Sequence, residues 1–193
     1  MLSTFEMRWF FSHCPLSIEE HFHDNTELQT RTDWYAFPCG PDCGIKLREG
    51  RLETKIRSKI GHPLACDPVE GRTESFKKWS LLFPSNDAPQ IEDLQIAGWL
   101  EVQKERRLKR FHVKPSEISP ATERPGNGCE FELTKLTLQQ GIYWTVGFEA
   151  VGPPENQSDN LQAIVQHTLH SRTLKETFNL ERSMGYAEWL SQL

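Results

Sequence analysis

Along residues 4–11 polar and apolar side chains alternate one by one. Thr4, Glu6 and Arg8 fall on one side, Phe5, Met7 and Trp9 on the other. A period of two marks a β-strand. Residues 33–38 (Asp-Trp-Tyr-Ala-Phe-Pro) predict a second strand, ended by Pro38 and the Gly/Pro/Cys turn that follows. The clearest signal is at residues 44–57, where two alternating arms flank Glu49-Gly50, a two-residue turn with glycine in second place. Lys46 and Arg48 share a face of the first arm; Arg51, Glu53, Lys55 and Arg57 share a face of the second. Residues 75–83 predict another strand, with Lys78 opposite Trp79 and Leu81, and residues 99–111 a long, highly charged one. Residues 129–133 and 143–149 predict a second hairpin, whose polar side holds Glu130 and Glu132 from one arm and Glu149 from the other.

Between these strands, residues 17–28 read as a helical connection capped by Ser17. Residues 58–72, with Gly61, Pro63, Pro68 and Gly71, read as loop, as do the polar linker before Trp99 and residues 114–128. After Gly152-Pro-Pro the period changes. Leu161, Ile164, Val165, Leu169 and Leu174 recur at helical spacing, and a last short helix is expected at residues 186–190. Strands at turn intervals with helices late in the chain predict a mainly β fold, a closed antiparallel barrel with a few packed helices, rather than a βαβ sheet.

A charged strand face normally meets solvent. Here the arrangement recurs in at least five strands, each charged face is backed by an apolar one, and both signs occur within strands. A closed barrel turns one set of faces inward, where charges must be paired or bound to a ligand. The chemistry that suits such an interior is phosphoanhydride binding. Arg and Lys neutralise phosphate oxygens, and carboxylates hold a hard cation such as Mg²⁺ or Mn²⁺ that bridges to the phosphates. An apolar-ligand barrel of the calycin type is disfavoured by the same charges.

At 193 residues, 37% hydrophobic and 25% charged, the chain suits one domain spanning residues 1–193. The formal net charge of −5 argues against general nucleic-acid binding while leaving room for a local basic cavity. No stretch approaches the roughly 20 apolar residues of a membrane span. The N-terminal strand carries Glu6 and Arg8 within its apolar run, unlike a signal peptide, and the five scattered cysteines suit reduced thiols. A cytoplasmic location without membrane association is therefore expected. Two other features are set aside. His21-Phe-His23 lacks an inward third ligand, and Cys39 and Cys43 have no second cysteine pair to complete a zinc site.

Taken in order, these motifs resemble the CYTH, or triphosphate tunnel metalloenzyme, family over nearly the whole chain. The family's opening E-x-E-x-K is similar to Thr4-Phe-Glu6-Met-Arg8, with Thr4 in place of the first acid and Arg8 in place of the lysine. Asp33-Trp-Tyr35 resembles its D-x-Y, and the pairs Lys46/Arg48, Lys55/Arg57 and Lys104/Arg106 resemble its basic strands. Glu130-Phe-Glu132 and the Glu149 strand resemble its late acidic strands, with Gly147 where a paired acid often stands. Residues 183–190 resemble its closing S-Y-x-x-L segment. The resemblance implies an eight-stranded tunnel that binds a small-molecule triphosphate with Mg²⁺ or Mn²⁺. It implies Glu6, Arg8 and Lys55 as catalytic residues, Lys46, Arg48, Arg57, Lys104 and Arg106 as phosphate ligands, and Glu6, Glu130, Glu132 and Glu149 as metal ligands. The function expected is metal-dependent hydrolysis of a triphosphate. The alternative is a non-catalytic phosphate-binding protein, since Thr4 and Gly147 each remove a carboxylate.

Overall fold

A computed structural model describes residues 2–23, 26–84, 98–170 and 173–193. Among these, nine strands form one antiparallel sheet: β1 (Leu2–Phe11), β2 (Gln29–Ala36), β3 (Cys43–Arg48), β4 (Arg51–Cys66), β5 (Val69–Leu82), β6 (Trp99–Lys114), β7 (Glu117–Ala121), β8 (Gly128–Leu138) and β9 (Gly141–Val151). The strand order is β2-β3-β4-β5-β1-β9-β8-β6-β7, and pairing of β2 with β6 closes the first eight into a barrel. β7 is the extra strand, paired only with the far end of β6. The expected closed eight-stranded antiparallel barrel is therefore present.

The outward apolar faces of β1, β8 and β9 carry Met7, Trp9, Phe131, Leu133, Val146 and Phe148, all at most 1% exposed. They pack beneath α2 (Pro154–Leu169), which contributes Leu161, Ile164, Val165 and Leu169 at one-face helical spacing. The main hydrophobic core thus lies outside the barrel, between wall and helix, which frees the interior for charge. A smaller cluster closes one end of the barrel. There α3 (Tyr186–Leu190) lays Trp189 on Phe10, with ring centroids 4.6 Å apart and planes 7° from parallel, and buries Leu190 beside Val102 and Leu136.

The tight turn is as expected: Glu49 and Gly50 both have positive φ (51° and 69°), the geometry that matches strand twist in a two-residue hairpin. Three connections differ from expectation. Residues 58–72 are strand, not loop. β4 and β5 run through them to a turn at Asp67-Pro68. The punctuation that suggested a loop has other causes. Pro63 ends a register shift that begins at Ile60, a bulge that accommodates a residue lacking an N–H donor. At Gly71 a Cβ would lie 2.5 Å from both Met7 Sδ and Trp9 Cζ2, so glycine is there for close packing. Within 114–128, Glu117–Ala121 forms β7. The helix expected over 17–28 is only α1 (Leu16–Glu19) and a 3-10 turn (Glu20–Phe22). Ser17 lies inside the helix and its Oγ accepts a hydrogen bond from the Lys175 amide at 3.0 Å instead of capping. Residues 24 and 25, and most of the linker before Trp99, lie outside the described residues. Leu174 follows α2 rather than belonging to it, yet packs on the same core. All five cysteines are free thiols, and no helix among the described residues is long and apolar enough to cross a membrane.

Candidate functional site

Alternation in each strand delivers charged side chains to one cavity of about 430 Å³ inside the barrel. Ten of the residues singled out from sequence line it: Glu6, Arg8, Lys46, Arg48, Lys55, Lys104, Arg106, Glu130, Glu132 and Glu149. Arg57 does not. It turns to an end cluster, pairing with Glu74 and Asp42, each at 2.5 Å, and with Glu188 of α3, which Arg72 also contacts. Arg57, expected to hold phosphate, thus lies outside the cavity lining, with its guanidinium on three carboxylates.

On one wall, the register of β1, β9 and β8 sets Glu6, Glu149 and Glu130 side by side as direct cross-strand partners. The next inward row is Arg8, Gly147 and Glu132. Lys55 Nζ lies 2.5 Å from Glu6 and 3.8 Å from Glu149. Arg124, from the segment after β7, reaches Glu130 at 3.0 Å and also pairs with Glu149, while Arg110 contacts Glu130 at 2.9 Å. Arg8 donates to Glu132 at 2.7 Å and to Thr145 at 3.2 Å, and its guanidinium sits 4.8 Å from the Tyr186 ring. Burial pushes the Glu6 carboxyl up; Lys55 opposes this and neighbouring Glu149 adds to it. Burial alone would raise Glu149 as well, but Lys55 and Arg124 hold it down at about 2. Burial is likewise overcome at Glu132, where Arg8, Arg106 and Arg31 keep the carboxyl well below the usual range.

The opposite wall is organised around two buried acids. Asp33 receives Lys104 at 2.9 Å, Lys46 at 3.0 Å and Arg31 at 3.5 Å. Despite its burial these three cations hold its carboxyl far below the normal range. Glu53 receives Lys46 at 3.2 Å and Arg48 and Lys78 at 2.9 Å. Lys104 is 3% exposed, donates to the Tyr35 hydroxyl at 2.8 Å and lies 4.0 Å from the Tyr186 ring centroid. Burial depresses its pKa to about 7 against the pull of Asp33, with Lys46 and Arg31 pushing the same way as burial.

Several lining residues escaped the sequence reading. Arg31 sits two residues before Asp33 and so shares its face, a signal hidden by starting the strand at Asp33. Arg110 continues the parity of Lys104 and Arg106 on β6. Arg124 is carried by irregular backbone, where no periodicity marks it.

The four proposed metal ligands are each held by basic side chains, and among the described residues no three His, Cys, Asp or Glu converge on a cation-binding point. At the two positions where acids are missing the space is otherwise used. Thr4 Oγ1 donates to Glu6 at 2.5 Å, and a Cβ at Gly147 would lie 2.6 Å from Arg8 Cζ. The residues present, so arranged, do not fit a Mg²⁺ or Mn²⁺ ion, and no step below is routed through one.

No family model matches the chain, and no curated protein matches it. Among solved structures it is similar to a candidate adenylate cyclase of Bacillus halodurans, at 12% identity and a TM-score of 0.39 over 91% of this chain and 96% of that one. It is also similar to a protein of Pyrococcus horikoshii OT3, at 14% identity and a TM-score of 0.37 over 85% of this chain and 87% of that one. Similarity at this level assigns no family.

Proposed function

We propose that the barrel binds the triphosphate group of a small molecule in its interior. One observation carries this reading. Among the described residues, ten Arg and Lys side chains line the cavity against six carboxylates, inside a chain whose formal net charge is −5. A concentration of buried cations opposite to the protein's own sign calls for a compact, highly charged anion. Linear phosphoanhydrides match it, because successive phosphates offer oxygens along a line and the guanidinium groups of Arg8, Arg48 and Arg106 bind such oxygens with directional pairs. A volume of about 430 Å³ is in the range of small-ligand sites. Calorimetry with phosphate, pyrophosphate and tripolyphosphate tests the reading. Affinity should rise with each added phosphate, by about tenfold or more from pyrophosphate to tripolyphosphate. Equal, weak binding of all three would contradict it.

A second reading is hydrolysis of the bound triphosphate, in which Glu6, Arg8 and Lys55 act on the substrate. Glu6 favours it: its carboxyl is buried and pushed up by that burial, as suits a group that takes a proton from an attacking water. Phosphate release from inorganic triphosphate, thiamine triphosphate and ATP, each in EDTA and with Mg²⁺ or Mn²⁺, decides it. Release from any of the three supports hydrolysis, and no release leaves the binding protein.

A further inference from the structure

The row of Glu6, Glu149 and Glu130 raises a physical difficulty. Cross-strand partners on one sheet face stand about 5 Å apart, and like charges so placed repel. The chain relieves this with its own cations. Lys55 spans Glu6 and Glu149, and Arg124 spans Glu149 and Glu130, so that each gap in the row holds one positive group. Arg110 adds a third on Glu130. Three acids thus face three cations, and a divalent ion entering among them would meet fixed positive charge at short range. The second row repeats the pattern, with the Arg8 guanidinium filling the space over Gly147.

Arg124 is held in place despite its irregular backbone. Asn127, three residues on, donates to Val113 O at 2.7 Å and accepts from Asn160 of α2 at 2.9 Å. At Gly128 a Cβ would lie 1.9 Å from Phe111 O, so this segment is drawn hard against β6.

We propose that Lys55 and Arg124 take the place of a divalent cation in this tunnel, so that its anion binds without metal. The proposal rests on the triphosphate reading for the identity of the anion. Its exclusion of metal from the acidic row does not depend on that identity. Neutralised acids no longer oppose an incoming phosphate, and the cations that neutralise them are part of the chain, present whatever the metal supply.

The test has two arms on the full chain. In the first, Mn²⁺ alone is titrated and free ion is followed by electron paramagnetic resonance. Wild type should leave the free Mn²⁺ signal unchanged. Arg124→Gln, at a side chain 41% exposed and therefore tolerant of change, should take up Mn²⁺ because Glu149 and Glu130 lose their bridge. Arg124→Lys restores the charge and should abolish that uptake. In the second arm, wild-type affinity for tripolyphosphate should agree within about twofold between EDTA and Mg²⁺. Mn²⁺ uptake by wild type, no uptake by Arg124→Gln, or a tripolyphosphate affinity that rises about tenfold or more with Mg²⁺ would each overturn the proposal. Absence of tripolyphosphate binding in both buffers would overturn the triphosphate reading instead, while the Mn²⁺ arm still decides the cation substitution.

Discussion

Arg48 and Arg57 of the basic hairpin show how one parity can lead to two fates. Arg48 lines the cavity and pairs with Glu53, whereas Arg57, on the same inward face of the sheet, is taken by Glu74, Asp42 and Glu188. Arg48→Ala should therefore weaken tripolyphosphate binding by about tenfold with little loss of stability. Arg57→Ala should leave binding intact and cost roughly 2–3 kcal/mol in chemical denaturation, because Glu74, 1% exposed, loses its closest cation. The reverse pattern would contradict these assignments. Lys104 carries the pH dependence. Its neighbours are Asp33, Tyr35 and Arg31 on β2, Lys46 on β3 and Tyr186 on α3. Its folded pKa is about 7, below the 10.5 of an ordinary lysine, so across that interval the unfolded chain holds the extra proton. This group's contribution to stability therefore grows as pH rises from 7 toward 10.5. A bound polyanion favours the charged amine, so tripolyphosphate binding at about pH 8 should take up a proton, and Lys104→Met should reduce that uptake. Calorimetry in two buffers of different ionisation heat measures it; equal uptake in wild type and variant would contradict the role given to Lys104. Strand parity made Glu6, Arg8, Lys46 and Lys104 legible from sequence. The stretch of β4 where Arg57 meets α3 was not legible, because that meeting depends on a helix more than a hundred residues away.

At the level of elements, alternation was a sound guide wherever a strand has one apolar and one charged face, as in β1, β3, β8 and β9. It failed in the outer half of the β4–β5 pair, where glycines and prolines serve packing and bulges rather than turns. It failed at α1 for a related reason. Ser17 looked like a cap, but its hydroxyl is used by a distant backbone amide. The closing helix α3 was legible at its observed bounds, Tyr186–Leu190. Its role is to seal one end of the barrel, with Trp189 stacked on Phe10 and edge-on to Tyr143. Trp189→Ala should cost roughly 3–5 kcal/mol through the cavity it leaves, read as a lowered urea midpoint with an unchanged slope. A loss below about 1 kcal/mol would mean that the barrel end does not depend on this helix.

For the whole molecule, the decisive arrangement is a hydrophobic core placed outside the barrel, beneath α2, and a charged interior in which cations are paired with carboxylates but outnumber them. Such an interior is costly in desolvation, and paired charges recover that cost only in part. A ligand that supplies negative charge to the surplus of cations should therefore stabilise the fold markedly. The melting temperature of the wild-type chain in EDTA, with and without tripolyphosphate, measures this directly. At about 100 times the dissociation constant, mass action adds about 2.7 kcal/mol, which for a chain of this size corresponds to a rise of roughly 5–10 °C. Such a rise, sharply reduced in Arg48→Ala, is the result predicted. An unchanged melting temperature at millimolar-order tripolyphosphate, both in EDTA and with Mg²⁺ or Mn²⁺ added, would contradict the claim that this barrel is a phosphoanhydride-binding tunnel.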